Sequence, residues 1–304
     1  MLVWVPLEQL AASLSDVPGV TVETVVPDAG PMPAGAQDVE LYVPPFFPDV
    51  AAMASMARMP RLRVVQTLTA GFDHVRPHLP PGAALCNARG AHDASTAEWV
   101  MTAILASLRE FPRFSAEQAA GRWSFQFTGC LAGRTVLIVG YGSIGGAVDR
   151  RLAGFDVAQV LKVARRARPG VQPITSLPDL LPRADVVVIL APATAETAGM
   201  VDAAFLARMK DGALLVNAAR GSLVNTADLI AELRTGRLRA ALDVATPEPL
   251  PSDSPLWSLP NVLITPHVGA STPASARAVA ALVRAQVERA RDGQPLANVT
   301  TGDY

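Results

Sequence analysis

Short runs of β-branched and other apolar residues alternate along the chain with longer stretches that have apolar residues at helical spacing. This alternation is typical of parallel sheets covered by helices. Proline- and glycine-rich breaks separate the elements in the first third of the chain. We predict strands there at Leu2–Val5, Val20–Val25, Glu40–Val43, Arg63–Thr67 and Ala84–Cys86, and a helix at Pro48–Arg58.

A long amphipathic stretch follows, from Ala94 to about Ala120. Ser95 and Thr96 precede Glu98 in a capping arrangement, which predicts one long helix. The middle of the chain then repeats strand and helix regularly, as in a doubly wound dinucleotide-binding domain. We predict strands at Thr135–Val139, Val157–Val163, Asp185–Leu190, Ala213–Asn217, Arg239–Leu242 and Val262–Thr265, and helices at Ser143–Ala153, Asp202–Met209 and Thr226–Arg234.

A last predicted helix, Pro273–Arg291, is long enough to return to the first domain, which is therefore expected to use both ends of the chain. We assign residues 1–95 and 285–304 to a substrate (catalytic) domain, and residues 96–284 to a dinucleotide-binding domain of the Rossmann type. The predicted fold class is α/β, with two Rossmann-like doubly wound parallel-sheet domains and a cleft between them.

Composition limits the classes of partner. The 304 residues suffice for two domains, and 50% of them are hydrophobic, so a large core can be buried. A net charge of -1 gives no reason to expect nucleic acid or a membrane surface as a partner. The apolar runs are too short for a membrane span, and no signal peptide is recognised. Cys86 and Cys130 lie far apart in no metal-ligand spacing, so we expect a cytoplasmic protein without a metal site.

A glycine-rich turn stands between a predicted strand and a predicted helix. The strand Thr135–Val139 leads into Gly140-Tyr141-Gly142-Ser143-Ile144-Gly145. Gly140 would permit the tight turn, Gly142 would let a pyrophosphate approach the backbone, and Gly145 would let the helix pack on the strand. The alternative is a glycine turn without a ligand. We predict that a dinucleotide binds at Gly140, Gly142, Ser143, Ile144 and Gly145, on the N-terminus of the helix.

The end of the next strand sets the choice of dinucleotide. NAD-binding folds place an Asp or Glu there to bind the ribose 2′-hydroxyl. Here the strand ends in Ala164-Arg165-Arg166-Ala167-Arg168, which contains no acid. Arg165 and Arg166 offer planar donors for a 2′-phosphate, so we predict NADP (NADPH), with NAD as the alternative cofactor. A solvated basic loop without a ligand is the structural alternative.

Three further predicted strands end shortly before a charged or titratable side chain: Arg220, Glu248 and His267. Ligands of open α/β sheets bind outside these strand ends. Reduction of a ketone leaves growing negative charge on oxygen, which a guanidinium stabilises while an imidazolium delivers the proton. A neighbouring carboxylate orients the imidazole and favours its charged form. Each side chain alone could be a capping or solvated residue, and the strand ends favour the three coming together.

These motifs, in this order, resemble the D-2-hydroxyacid dehydrogenase family, which includes glyoxylate/hydroxypyruvate reductases and phosphoglycerate dehydrogenases. The resemblance covers nearly the whole chain and is strongest from Gly133 to Gly269, where it includes residues 240–244 and 255–257. It implies an enzyme that transfers a hydride between a nicotinamide and C2 of a small 2-oxo or 2-hydroxy acid. It also implies a homodimer formed through the dinucleotide domains.

The resemblance assigns individual roles. Arg220 would bind the substrate carboxylate and polarise the C2 oxygen, and His267, paired with Glu248, would be the general acid in reduction. The backbone N–H groups of Ala70 and Gly71 would hold the substrate carboxylate. Asp243 would lie near the nicotinamide carboxamide, and the other positions that match cofactor contacts are Ala191, Ala218, His267, Gly269 and Ala270.

Two alternatives to a glyoxylate or hydroxypyruvate reductase stay open. One is a phosphoglycerate dehydrogenase-like enzyme, although the sequence ends without the regulatory extension that many of those enzymes carry. The other is a nicotinamide-sensing binding protein, similar to the corepressors of this family, which can keep the catalytic residues. Glu248 argues against a formate dehydrogenase, which would be expected to lack the acidic partner of the histidine.

Overall fold

The computed structural model describes residues 1–28, 30–46 and 49–302, and the chain divides into two compact units. The first unit consists of Met1–His92 and the described part of Pro273–Tyr304, and the second consists of Asp93–Thr272. The predicted boundaries at residues 95/96 and 284/285 fall inside two helices, Asp93–Leu108 and Pro273–Arg291. Each of these helices belongs to one unit along its whole length, so the divisions come where the helices begin.

The described elements follow the predicted alternation of strand and helix. The strands are β1 (Leu2–Val5), β2 (Thr21–Thr24), β3 (Val39–Tyr42), β4 (Val64–Gln66), β5 (Ala84–Cys86), β6 (Thr135–Val139), β7 (Gln159–Ala164), β8 (Gln172–Pro173), β9 (Val186–Ile189), β10 (Leu214–Asn217), β11 (Arg239–Leu242) and β12 (Val262–Ile264). The α-helices are α1 (Glu8–Ala12), α2 (Val50–Ala54), α3 (Asp93–Leu108), α4 (Phe111–Ala119), α5 (Ser143–Leu152), α6 (Leu177–Leu180), α7 (Ala203–Arg208), α8 (Thr226–Arg234) and α9 (Pro273–Arg291). Short 3₁₀ turns lie at Ala36–Asp38, Ser55–Arg58, Arg76–His78, Ile174–Ser176, Leu181–Arg183, Gly221–Leu223 and Pro255–Ser258.

The first unit is built on a parallel sheet in the order β2-β1-β3-β4-β5. Val279, Val283 and Val287 of α9 belong to one buried cluster with residues of β1. The last helix and the first strand therefore share a hydrophobic core. A second cluster contains Trp4 and Tyr42. Two separate clusters are expected when both faces of a parallel sheet are buried.

The second unit is built on a larger parallel sheet in the order β12-β11-β10-β9-β6-β7-β8. Every residue of β9 is apolar and buried, as is typical of a central parallel strand covered on both faces. Helices α3 and α5 contribute to the core on one face, and α6, α7 and α8 contribute to the core on the other. Residues of β6 alternate between the two cores: Val136 and Ile138 belong to one, Leu137 and Val139 to the other.

The predicted fold class of two parallel-sheet α/β domains is confirmed. The single predicted helix from 94 to 120 is wrong, because α3 ends at Leu108 and α4 begins at Phe111. Pro112 has no N–H to donate, and its ring would clash with the carbonyl group four residues earlier. Glu110 takes the left-handed conformation, with φ of 56°, where the chain changes direction.

Smaller differences concern the ends of elements. The predicted helix from Pro48 to Arg58 is a short α-helix from Val50 followed by a 3₁₀ turn, and Pro48 itself lies outside the described residues. The two-residue strand β8 was not predicted, since two residues carry no periodicity. Within the described residues, no helix combines the length and the apolar character that a membrane crossing requires.

Candidate active site

Three adjacent strands deliver the three residues predicted to act together. In the order β12-β11-β10 all strands are parallel, so their carboxyl ends lie at one edge of the sheet. Arg220 follows β10, Glu248 follows β11, and His267 follows β12. The ends are also in register, because Asn217 is level with Leu242. The topology therefore places three loops with one candidate residue each side by side.

The histidine and the glutamate form a direct pair. His267 Nδ1 lies 2.9 Å from Glu248 Oε2. The other carboxylate oxygen, Oε1, accepts a hydrogen bond of 2.9 Å from the backbone N–H of Ala245. Both side chains are about one third exposed, 32% for His267 and 38% for Glu248, so the pair is reachable from solvent. A carboxylate held at both oxygens fixes the orientation of the imidazole ring.

A buried carboxylate holds the loop that carries the histidine. Asp243 is 4% exposed and accepts from Thr265 Oγ1 at 2.6 Å, from the N–H of Val268 at 2.9 Å and from the N–H of Gly269 at 2.7 Å. The N–H of His267 also donates to the Asp243 carbonyl at 2.7 Å. His267 has a φ of 54°, a conformation that costs a non-glycine residue about 1–2 kcal/mol. These four hydrogen bonds hold that conformation.

The sequence predicted Asp243 only as a cofactor neighbour, so its role as the anchor of the histidine loop was missed. The anchor extends further, since Trp99 Nε1 donates to Thr265 Oγ1 at 3.0 Å. Gly269 is required at its position, because a Cβ atom there would lie 2.8 Å from Asp243 Oδ2. An acid directly after one strand and a hydroxyl directly after another are a signal that could have indicated this role.

Arg220 is half-buried and lies in a turn that side-chain hydrogen bonds stabilise. Its Nη1 donates to the carbonyl of Ala219 at 2.8 Å. The side chain of Asn217, which is 1% exposed, donates to the carbonyl of Arg220 at 3.0 Å and accepts from the N–H of Ala219 at 3.1 Å. The amide at the end of β10 thus fixes the backbone from which the guanidinium projects.

The loops of Arg220 and Glu248 are in close contact through Gly221. A Cβ atom at this glycine would lie 1.8 Å from the carbonyl oxygen of Ala245 and 2.6 Å from Thr246 Oγ1. Ala245 is also the residue whose N–H holds Glu248. The role of Gly221 was not predicted, although a glycine directly after a charged residue at a strand end is a usable signal for close backbone approach.

The glycine-rich turn leaves no room for a side chain at two of its three glycines. Gly140 has a φ of 100°, and a Cβ atom there would lie 2.3 Å from the backbone nitrogen of Ala191. A Cβ atom on Gly145 would lie 2.8 Å from the carbonyl oxygen of Gly140, so this glycine permits close packing of helix on strand. A Cβ atom on Gly142 would meet no heavy atom of the described residues within 4 Å, which leaves room for a ligand.

These features fit a bound dinucleotide. Helix α5 begins at Ser143, directly after Gly142, so its first N–H groups and its dipole are directed at the turn. The other predicted cofactor contacts lie on this helix or at neighbouring strand ends: Ile144 on α5, Ala191 after β9, Ala218 after β10, and Gly269 and Ala270 in the loop after β12. Within the described residues, no group of three or more His, Cys, Asp or Glu side chains could hold a metal ion.

Arg165 and Arg166 are exposed and directly follow β7, the neighbour of β6 in the sheet. No carboxylate lies in the segment Arg165–Arg168. Arg168, which the sequence analysis did not assign, donates from Nη2 to the carbonyl of Tyr141 in the glycine-rich turn. The two arginines therefore lie on a loop that contacts the glycine-rich turn through Arg168.

The Ala70–Gly71 loop of the first unit has its carbonyl groups engaged. Thr69 Oγ1 donates to the carbonyl of Gly71 at 2.6 Å, and Asn87 Nδ2 donates to the carbonyl of Ala70 at 2.8 Å. Thr67 Oγ1 donates in turn to the carbonyl of Thr69 at 2.7 Å. Side-chain hydrogen bonds thus hold the loop through the carbonyl groups of three consecutive residues.

Comparison with known proteins agrees with this geometry. Residues 101–269 match the family model described as "D-isomer specific 2-hydroxyacid dehydrogenase, NAD binding domain". D-3-phosphoglycerate dehydrogenase of Mycobacterium bovis is 39% identical over 71% of this chain, but the match spans only 43% of that relative's length. Glyoxylate reductase/hydroxypyruvate reductase of Mus musculus is 35% identical over 69% of this chain and 68% of its own length.

A solved structure extends the comparison to the whole chain. It is the NADPH-dependent glyoxylate/hydroxypyruvate reductase of Sinorhizobium meliloti in complex with NADP and sulfate. The TM-score is 0.84 at 30% identity, with 98% of this chain and 97% of that chain covered. The family model covers more than half of the chain, and the solved structure matches both units. The chain belongs to the D-isomer specific 2-hydroxyacid dehydrogenase family.

Proposed function

We propose that the chain is an oxidoreductase that reduces a small 2-oxo acid, of the glyoxylate or hydroxypyruvate type, to the D-2-hydroxy acid, with NADPH as the preferred reductant. The observation that carries this proposal is the His267–Glu248 pair, 2.9 Å apart, on the strand ends next to Arg220. A proton donor with an oriented ring and a neighbouring guanidinium are the groups that reduction of a carbonyl requires.

His267 is the proposed proton donor to the C2 oxygen. Glu248, as a carboxylate, can only accept a hydrogen bond, so it fixes the proton of Nδ1 on the side of the acid. The proton that is exchanged with substrate then resides on Nε2. The nicotinamide, when bound, supplies or accepts the hydride. Arg220 balances the negative charge that grows on the C2 oxygen and pairs with the substrate carboxylate.

Arg220, Glu248 and His267 are therefore the proposed catalytic residues, and Ala70 and Gly71 are proposed to bind the substrate carboxylate through their backbone N–H groups. Backbone donors in a braced loop are suited to an anion because they need no reorganisation on binding. Asp243 is proposed as a cofactor neighbour in addition to its role in the histidine loop.

The proposed cofactor is NADP, with NAD as the alternative. Arg165 and Arg166 lie at the strand end where an acid would bind the ribose hydroxyl of NAD, and guanidinium groups pair well with a phosphate. The Sinorhizobium meliloti relative, described as NADPH-dependent, supports this choice.

A phosphoglycerate dehydrogenase-like activity is the second candidate. The observation in its favour is the 39% identity to the Mycobacterium bovis enzyme, above the 35% to the mouse reductase. The reductase match, however, covers 68% of the relative's length against 43%. For this reason we place the small 2-oxo acid first and use 3-phosphohydroxypyruvate as a comparison substrate.

We also propose that the protein works in the cytoplasm as a homodimer. The free thiols of Cys86 and Cys130 suit a reducing compartment. Three aromatic side chains in the segment after α4 are almost fully exposed: Trp123 at 100%, Phe125 at 82% and Phe127 at 92%. Aromatic groups exposed to this extent are typical of a protein interface, and the proposed occupant is a second copy of this chain.

A substrate panel tests the proposed reaction. We expect oxidation of NADPH, followed at 340 nm, when glyoxylate or hydroxypyruvate is added, with a kcat/KM at least about tenfold above that for 3-phosphohydroxypyruvate and about tenfold above that with NADH. Tight binding of NADPH without turnover of any 2-oxo acid would favour a nicotinamide-sensing protein and contradict the proposal.

Glu248→Gln tests the role of the pair. The amide cannot hold the imidazole through a charge-assisted bond, so kcat should fall about a hundredfold while the KM for the 2-oxo acid changes little. Asp211→Asn is the matched control, because this acid is exposed and stands before β10, at the opposite edge of the sheet. Equal kcat values for wild type and Glu248→Gln would rule out the assigned role.

Replacement of Trp123, Phe125 and Phe127 together by serine tests the interface. We expect the mass measured by light scattering at micromolar concentration to change from that of a dimer to that of a monomer. Val50→Ser, which alters a 76% exposed apolar residue of the first unit, should leave the mass unchanged. A monomeric wild type, or a triple variant that stays dimeric, is the contradicting result.

A further inference from the structure

The loop after β7 is closed into a short hairpin. The N–H of Arg168 donates to the carbonyl of Val171 at 3.0 Å, and the N–H of Val171 donates back to the carbonyl of Arg168 at 2.8 Å. Gly170, with a φ of 74°, supplies the turn between them. Beyond the turn, β8 pairs with the end of β7. The segment with Arg165 and Arg166 is therefore bounded by paired backbone on both sides.

Arg168 ties this loop to the glycine-rich turn. Its Nη2 donates to the carbonyl of Tyr141, the residue between Gly140 and Gly142. Its guanidinium carbon also lies 5.6 Å from the centroid of the Tyr141 ring, within the range of a cation–π contact. One side chain thus contacts both the backbone and the ring of the residue between the first two glycines.

The ring that Arg168 contacts is itself held in place. The Tyr141 hydroxyl donates to Asp149 Oδ2 at 2.5 Å, and Lys162 Nζ lies 2.6 Å from the same oxygen. Lys162 also lies 5.2 Å from the ring centroid. A hydrogen bond to Asp149 raises the pKa of the Tyr141 phenol, and a second one to the same acid raises the pKa of Lys162.

Two of the basic side chains of this region contact residues of the glycine-rich turn or of α5. The charge of Lys162 is paired with Asp149, and the guanidinium of Arg168 is engaged with Tyr141. Arg165 and Arg166 lie in the exposed part of the loop. A loop whose backbone is ordered before binding loses less conformational entropy when its side chains pair with a phosphate.

We infer that Arg168 is a positioning residue for the choice between NADPH and NADH, because it anchors the loop of Arg165 and Arg166 to the phosphate-binding turn. This inference rests on the proposed preference for NADPH. It assigns Arg168 an effect on the 2′-phosphate that is exerted through its two neighbours and not through a contact of its own.

Binding measurements by isothermal titration calorimetry test the inference without turnover. Arg168→Ala should weaken NADP⁺ about tenfold and NAD⁺ less than about twofold, since only the 2′-phosphate depends on the arginine loop. Adenosine 2′,5′-bisphosphate should lose about as much as NADP⁺, whereas 5′-AMP should be unaffected. Arg208→Ala, which removes an exposed arginine from the last turn of α7, is the matched control and should retain the preference for NADP⁺.

A double-mutant cycle separates positioning from direct contact. In the Arg165→Ala/Arg166→Ala background, Arg168→Ala should cause no further loss of NADP⁺ affinity, because no loop side chain remains to be positioned. A full additional loss would show a direct phosphate contact and overturn the inference. Equal weakening of NADP⁺ and NAD⁺ by Arg168→Ala alone, or no weakening of either, would also overturn it.

The cofactor preference of the wild-type protein separates failure of the proposed function from failure of the role of Arg168. If it binds NAD⁺ as tightly as NADP⁺, the proposed cofactor preference fails, and the inference fails with it. If wild type prefers NADP⁺ and the Arg168→Ala variant keeps that preference in full, the proposed function stands and only the role of Arg168 is rejected.

Discussion

The parallel arrangement of β10, β11 and β12 is the constraint on which the candidate site depends. Parallel strands that are neighbours in a sheet must end at the same edge, so each loop that follows them begins beside the next. Arg220, Glu248 and His267 are far apart in sequence, yet each follows one of these ends. The contact of Gly221 with the segment at Ala245 then lets two of the loops meet without a side chain between them.

Asp243 fixes the conformation of the loop that carries His267 at these strand ends. Its buried carboxylate accepts three hydrogen bonds from the loop that carries His267. Hydrogen bonds to a charged group contribute about 1.5–3 kcal/mol each, which exceeds the cost of about 1–2 kcal/mol for the left-handed backbone of His267. The imidazole can therefore be presented to Glu248 from a conformation that a histidine seldom adopts.

Much of this organisation could be predicted from the sequence, because strand ends and glycine turns leave local signals. The glycine-rich turn between β6 and α5 was predicted, with separate roles for Gly140 and Gly145. In the structure, a Cβ atom at either glycine would clash with neighbouring backbone. The break between α3 and α4 was missed although Pro112 marks it, because the amphipathic pattern continues through the break. Asp243 as an anchor, Gly221 and Arg168 were missed because their duties arise from contacts with residues distant in sequence, which periodicity does not reveal.

The central claim is that the pair at the strand ends acts on a carbonyl beside Arg220. A crystal structure with NADP⁺ and oxamate, an unreactive analogue of a 2-oxo acid, tests it most directly. We expect His267 Nε2 within hydrogen-bond distance of the oxygen of the analogue that corresponds to the C2 oxygen, Nδ1 still on Glu248, and the guanidinium of Arg220 on the carboxylate. An imidazole directed away from the bound analogue, with Arg220 paired elsewhere, would contradict the account.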